Sequence, residues 1–450
     1  MGLFYDENLP AEEKKQIRTV IFSALAGTAV EYYDFFIFAT ASAVVFPQLF
    51  FPNLSPTMGL MASYATLMAT FVARPLGAIL FGHLGDKVGR KKSLVPSLII
   101  CALSTFLIGL LPTYAQIGQW APFLIVVLRF VQGIGVGGEY GGATAALVEY
   151  APPGKRGLFG AIVPLGNVLG VFISTLVFSL IPHGWLMSGG WRIPFLFSIV
   201  LLIIGVYVRT HLKETPLFLE MKRKGHTAPK TPIGEVLRSG KRSVLLTIGC
   251  RIGESALGWT IVGFLLSYAT KTVGLSRDTV LEAQLTASAV ALFTWPALGW
   301  LSDRVGRRPV FIGGALLAIA SAFPFFWMVN SGSTVLFFIA VIFGYAILNG
   351  ALYAIQPAFF SELFPTNVRS TGIGLGYQIA NFMGFITPIL ATGLVALLNG
   401  KSWGISVYLI AALLVTIGCV SACKESSKMD LSKDETFEND SAPSASHMPG

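Results

Sequence analysis

The sequence predicts an all-α polytopic membrane protein with twelve transmembrane helices in two pseudo-symmetric six-helix halves, and three observations carry that expectation. Charge is scarce: of 450 residues, 54% are hydrophobic and 12% charged, with a mean hydropathy of +0.69, too little polar surface for a water-soluble globule of this size. Apolar stretches of about twenty residues, the length that crosses a ~30 Å hydrocarbon core as a helix, recur from end to end. The first half of the chain also returns, in part, in the second.

The stretches lie near 19–46, 59–81, 93–111, 121–148, 157–181, 193–209, 243–270, 283–301, 309–329, 334–361, 370–397 and 403–422. An outer-membrane barrel would instead show short alternating segments. Glycines such as Gly133, Gly135, Gly137, Gly138, Gly141 and Gly142 suit close approach of helix backbones. Cys101, Cys250, Cys419 and Cys423 fall in or beside spans with no metal-site or disulfide spacing, and are read as structural. Asp6, Glu7, Glu12 and Glu13 precede the first span, which is not the pattern of a cleaved leader, so that helix is expected to remain.

The net charge of +9 is distributed as a membrane orientation signal rather than as a nucleic-acid surface. With both termini inside the cell, inner loops hold Lys87, Arg90, Lys91, Lys92, Lys155, Arg156, the basic run from Arg209 to Arg242, Arg304, Arg307, Arg308 and Arg369. Outer loops hold only Arg192, Lys271, Arg277 and Lys401. The expected location is thus the cell membrane, multi-pass, with cytoplasmic termini and the lipid bilayer as partner. No P-loop, metal-ligand cluster or nucleophile motif is present, so the chain reads as a non-enzyme without cofactor, working as a monomer and driven by an ion gradient.

Gly82-His-Leu-Gly-Asp-Lys-Val-Gly-Arg90 returns as Gly299-Trp-Leu-Ser-Asp-Arg-Val-Gly-Arg307, an offset of 217 residues (299 − 82). Glu149 to Arg156 returns as Glu362 to Arg369, an offset of 213 (362 − 149). The organisation that follows is a cytoplasmic N-terminus (1–18), a six-helix bundle (19–209), a cytoplasmic linker (210–242), a second bundle (243–423) and a polar tail (424–450) expected to be disordered. Related halves facing each other across a cavity suit a carrier that holds its solute near the bilayer midplane.

The repeated G-x-L-x-D-x-x-G-R loop resembles the signature of the major facilitator superfamily. Glu31-Tyr-Tyr-Asp-Phe-Phe36, Arg74-Pro-Leu-Gly77, Arg129 to Glu139, Gly190-Trp-Arg-Ile-Pro-Phe195 and Glu214-Thr-Pro216 are similar to the metabolite:proton symporter family. That resemblance implies the major facilitator fold and proton-coupled uptake of solutes such as shikimate, dicarboxylates, citrate or compatible solutes. Arg251 and Glu254 resemble the shikimate-type carriers. The long coiled coil of the osmosensing proline/betaine carrier and the fifth-helix motif of the drug antiporters are not matched.

An ionisable side chain in a membrane span costs ~2.5–3.5 kcal/mol on insertion scales and is a functional candidate for that reason. Asp34 is expected ~24 Å from the cytoplasmic start of the first helix and Arg129 at ~18 Å, so the two are expected to pair, with Asp34 exchanging the proton and Glu31 on the same helical face. The resemblance to proton-coupled sugar porters points the same way. Arg251 and Glu254, three residues apart near the midplane, are the leading solute contacts. Arg251 has the planar fork that grips a carboxylate. Tyr33, Gln132, Tyr353, Gln356, Gln378 and Asn381, along with Tyr345, Asn349 and Tyr377, are candidate neutral helpers. Arg74 and Glu139 read as an inner-side gating pair. Asp86, Arg90, Glu149, Arg156, Asp303, Arg307, Glu362 and Arg369 resemble the superfamily's cytoplasmic charge network, which latches one conformation.

The competing readings are a carrier of zwitterions, held at both ends by Arg251 and Glu254, a drug/proton antiporter, and a nutrient receptor that binds without turnover.

Overall fold

The computed structural model describes residues 11–88, 90–137, 140–152, 154–210, 234, 236, 238, 240–364 and 369–429. Among these, twelve long helical segments follow in order: α1 (Ala11–Val44), α2 (Pro56–Val88), α3 (Arg90–Leu110), α4 (Trp120–Val136, resuming at Tyr140–Glu149), α5 (Arg156–Ser179) and α6 (Arg192–Thr210). The second set is α7 (Lys241–Val273), α8 (Arg277–Val305), α9 (Arg307–Asn330), α10 (Thr334–Ser361), α11 (Arg369–Ala380 with Phe382–Leu397) and α12 (Trp403–Ala422). Eight are long and apolar enough to cross a membrane, and shorter apolar helices occupy Val95–Leu110, Trp120–Val136 and Arg192–Tyr207. The face where α1 begins and α12 ends is called here the terminal face, and the opposite one the distal face.

The packing repeats as the sequence does. In the first half α1 packs on α5, α2 on α4 and α3 on α6; in the second, α7 packs on α11, α8 on α10 and α9 on α12. Each pair in one half has its counterpart six helices later. Lipid-facing residues such as Phe293, Trp327, Ile203 and Leu397 are exposed, while polar groups turn inward, the reverse of a soluble bundle.

Two glycines fix helix separations. A methyl group at Gly77 in α2 would lie 2.0 Å from the Ile134 carbonyl oxygen of α4. One at Gly157, at the start of α5, would lie 2.4 Å from the Gly299 carbonyl of α8, across the two halves. These contacts bring backbones together where hydrophobic force between helices is absent.

The halves meet at both faces. At the terminal face the Asp303 carboxylate accepts from the Gly157 amide (2.7 Å) and the Leu158 amide (2.9 Å). At the distal face Tyr64 of α2 donates to the Gly263 carbonyl of α7 (2.8 Å) and contacts Ser267 (3.2 Å). A central cavity lies between the two closures.

The segment expected to be a disordered tail is corrected in its first residues. Glu425 accepts from the Arg307 amide (2.8 Å) and the Arg308 amide (2.9 Å) at the start of α9, Ser426 donates to Glu362 (2.6 Å), and Arg156 donates to the Met429 carbonyl. Burial pushes the Glu425 carboxyl up, but the amides of Arg307, Arg308 and Ser427 more than reverse this and hold it below the ordinary glutamate value. Low hydrophobicity excludes packing into a core, yet a helix start offers unpaired amides to a carboxylate. Residues 1–10, most of the linker and residues 430–450 lie outside the described residues.

Overpacking at a tight backbone contact costs about 1–3 kcal/mol. Gly77→Ala, which pushes α2 from α4 within one half, is expected to lower the melting temperature of the purified protein in detergent by several degrees. An unchanged melting temperature would contradict the contact.

Candidate functional site

The central cavity is lined from both halves. Phe35 and Phe36 of α1 and Phe71 of α2 cluster around Trp259 of α7, with ring centroids 5.5, 6.2 and 6.3 Å away, and form its distal wall. On the terminal side, the hydroxyls of Tyr32, Tyr353 and Tyr377 bond one another, with 2.8 Å from Tyr353 to each of the other two. Tyr140 of α4 stacks on Tyr377 of α11, centroids 3.4 Å apart. Aromatic rings drawn from both halves thus close both ends of the cavity.

Arg251 sits between these walls. It forms an ion pair with Glu254 (2.9 Å), donates to Gln356 Oε1 (2.6 Å) and forks onto Asn381 Oδ1 through Nε (3.2 Å) and Nη2 (2.9 Å). Its guanidinium lies 3.7 Å from the Tyr377 ring centroid and 4.8 Å from that of Tyr353. The i,i+3 spacing on α7 puts Arg251 and Glu254 on one face, as the sequence indicated. Asn349 of α10 donates to the Glu254 carbonyl (3.3 Å), and Tyr345 donates to Asn167 of α5 across the halves (3.2 Å). In α10, Phe343–Asn349 is wound as a π-helix, and a similar stretch, Thr260–Phe264, follows Trp259 in α7. Both stretches border the cavity.

Arg74 is the second guanidinium of the wall. Its partner is Glu31 of α1 (3.7 Å), with Gln378 Oε1 accepting at 3.1 Å and the rings of Phe35 and Phe71 at 4.7 and 4.9 Å. The expected partner, Glu139, lies outside the described residues. Arg74 therefore belongs to the cavity rather than only to an inner-side gate, since α1 crosses α2 where Glu31 stands.

The expected Asp34–Arg129 ion pair is not made. The Arg129 guanidinium packs 3.8 Å from the Phe38 ring centroid and donates to Gln132, which in turn bonds Thr105 (2.7 Å). Asp34 receives the Cys101 thiol at 3.6 Å through Oδ2, and its Oδ1 has no hydrogen-bond partner. Both are fully buried inside the first half, away from the cavity lining. The depths match, but the side chains turn to different neighbours. Gln132 accordingly serves Arg129, not the cavity. Tyr33 is also displaced from its expected role: its hydroxyl donates to the Pro194 carbonyl of α6 (2.7 Å), so it ties α1 to its own half.

The charge network at the terminal face is assembled in the second half. Arg307 pairs with Asp303 (2.8 Å) and Glu362 (3.3 Å), and Arg369 donates to the Ser361 (2.9 Å) and Phe364 (3.3 Å) carbonyls at the end of α10. Arg156 joins through Met429. The side chains of Asp86, Arg90 and Glu149 lie outside what is described. Sequence reasoning missed Tyr32, Trp259 and Asn167 as cavity residues. The aromatic run Tyr32 to Phe36 was the available signal, since rings on consecutive residues cannot all face one core.

Residues 19–232 match the family described as "Sugar (and other) transporter", and residues 254–435 match "Major Facilitator Superfamily". The chain is 37% identical to the shikimate transporter of Escherichia coli over 420 residues, covering 91% of this chain and 95% of that protein. It is 40% identical to the inner membrane metabolite transport protein YhjE of Escherichia coli (83% and 87% covered), and 36% identical to the proline/betaine transporter of Salmonella typhimurium (84% and 78%). Among solved structures, a D-xylose-proton symporter superposes with a TM-score of 0.69 at 19% identity, covering 89% of this chain and 97% of that one. The partially occluded inward-open xylose transporter XylE of E. coli also gives 0.69, at 18% identity (91% and 98%). Repeated motifs, repeated helix packing and relatives matched over nearly their whole length agree: this chain is a transporter of the major facilitator superfamily and belongs to its metabolite:proton symporter family.

Proposed function

We propose that this protein takes up a small organic anion together with protons by alternating access, working as a single chain in the cell membrane with both termini in the cytoplasm. The observation that carries the anion is the cavity wall, which presents two guanidinium groups, Arg74 and Arg251; Glu254 lines it with them, while Glu31 pairs with Arg74 at 3.7 Å from outside the lining. Relatives named for shikimate and metabolite transport fit that charge. The distribution of basic residues supports the orientation, and no cofactor beyond the ion gradient is required.

Arg251 is the proposed anchor. Its fork is occupied by Asn381, Gln356 and Glu254, so an incoming carboxylate replaces amide oxygens that are weaker acceptors, while Glu254 and the tyrosine rings keep the charge in place. A charge held this way costs little reorganisation on binding. Asp34 is the proposed proton carrier, because Oδ1 has no hydrogen-bond partner and the guanidinium of Arg129 is not in contact with it. Rotation of either side chain makes or breaks a pair, which links proton occupancy to helix position.

A second reading is favoured by the 2.9 Å Arg251–Glu254 pair, which presents both charges to a zwitterion. A thermal-shift screen of the purified protein against alicyclic and aromatic carboxylates, dicarboxylates, proline and betaine separates the two, since a ligand of the folded state raises its melting temperature. Stabilisation by betaine or proline alone overturns the anion.

Two variants test the assigned roles. Asp34→Asn in proteoliposomes is expected to abolish accumulation under an imposed pH gradient while counterflow exchange of solute persists; accumulation by the mutant excludes Asp34 as the coupling group. For Arg251 the expected order of affinity is Arg, then Lys, then Gln or Ala, with Ala weaker by about 2–5 kcal/mol as for other truncated buried charge pairs. Equal affinities by direct binding would make Arg251 a purely structural charge.

A further inference from the structure

We propose that Arg277 is the distal latch of the transport cycle, matching Asp303 at the other end of the same pair of helices. The proposal rests on the alternating-access reading and adds to it the element that both closures share.

Helices α5 and α8 come from opposite halves and run antiparallel in close contact. At the terminal end of the pair, Asp303 near the C-terminus of α8 accepts from the first amides of α5, Gly157 and Leu158. At the distal end, Arg277 in the first turn of α8 donates to the Phe178 carbonyl in the last turn of α5 through Nη2 and, two residues past the helix, to the Ile181 carbonyl through Nη1 (3.2 Å). The two charges are 26 residues apart (303 − 277), about 39 Å of helix at ~1.5 Å per residue. One helix thus places an anion on the positive end of the other helix's dipole and a cation on its negative end.

Arg277 is not an ordinary surface cation. It is 8% exposed, while its sequence neighbour Asp278, 3.6 Å away, is largely exposed and leaves the guanidinium aimed at α5. Both carbonyls stand at the end of a helix, where Phe178 also accepts from the Ile181 amide (3.3 Å), so the lone pairs that Arg277 holds pass to water once the distal face opens. The contact therefore exists only when that face is closed. Asp303 has the same property at the terminal face. Rocking of the halves opens one end of the α5–α8 pair and keeps the other. Both contacts are made in the present structure.

The test reads which face opens. Ser255 lines the cavity, and Ser255→Cys reports access to it by a membrane-impermeant thiol reagent, counted above the same protein without that substitution. In right-side-out and inside-out vesicles the labelling rate is compared for the parent, Arg277→Gln, Arg277→Lys and Asp303→Asn. Arg277→Gln is expected to raise labelling several-fold from the distal face and to lower it from the terminal face. Asp303→Asn is expected to do the reverse, and Arg277→Lys, keeping one cationic donor, to fall between the parent and Arg277→Gln. Should Arg277→Gln yield too little folded protein, Arg277→Lys carries the test alone with the same direction of change. If Asp303→Asn shifts access while neither Arg277 variant does, the latch is overturned and alternating access stands. If no variant alters sidedness, and solute does not either, the transport reading itself fails.

Discussion

A guanidinium in hydrocarbon must bring its own solvent, and this requirement organises the interior of the protein. Arg74, Arg129 and Arg251 each lie against aromatic faces, at 3.7–5.2 Å from ring centroids, with amide or carboxylate oxygens on part of each guanidinium; Nε of Arg74 and both Nε and Nη2 of Arg129 have no hydrogen-bond partner among the described residues. Cation–π contacts are worth up to ~2 kcal/mol or more when desolvated. Rings on consecutive residues of α1, which would be surplus in a simple packed helix, are explained by this: Tyr32, Phe35, Phe36 and Phe38 serve several arginines and the cavity wall at once.

The same requirement makes the cavity responsive. A buried charge whose partners are neutral amides is satisfied but exchangeable, whereas one locked to a carboxylate alone is costly to release. Arg251 has both kinds of partner, and Arg74 has a carboxylate at 3.7 Å with one amide oxygen at 3.1 Å. At the terminal face the balance differs: Arg307 carries two carboxylates, and the closure it supports depends on backbone amides of the opposite half. Strong pairs hold each half together, and weaker, water-replaceable contacts join the halves. That division is what a molecule needs if its halves are to move as rigid bodies.

Helix spans, the internal repeat and the within-helix pair Arg251–Glu254 were legible in the sequence, because span length, motif offset and i,i+3 spacing are local quantities. Partners on different helices were not. The rise of ~1.5 Å per residue gives the depth of a side chain but not the direction in which it points. Asp34 and Arg129 share a depth and still face different neighbours. Arg74 was read with Glu139, which lies outside the described residues, and the Glu31 that the crossing of α1 and α2 puts beside it was not foreseen. Tyr33 stands between Tyr32 and Asp34 in sequence yet points to α6. The contacts of Glu425 and Ser426 were missed for a related reason: composition reports whether a segment can pack, not whether a neighbouring helix start offers amides to a carboxylate.

The π-helical winding of α10 has a consequence for how the cavity tolerates change. Tyr345, Asn349 and Tyr353 are spaced by four residues, and in regular α-helix such a series drifts around the axis; the looser turns of Phe343–Asn349 cancel the drift and keep all three on one side. Removing one residue from that stretch would restore ordinary winding and rotate the distal half of α10 against its terminal half. The span would still cross the bilayer and the terminal-face network would be untouched, but Tyr345 would leave Asn167. The length of this segment, counted to a single residue, is therefore part of the recognition chemistry.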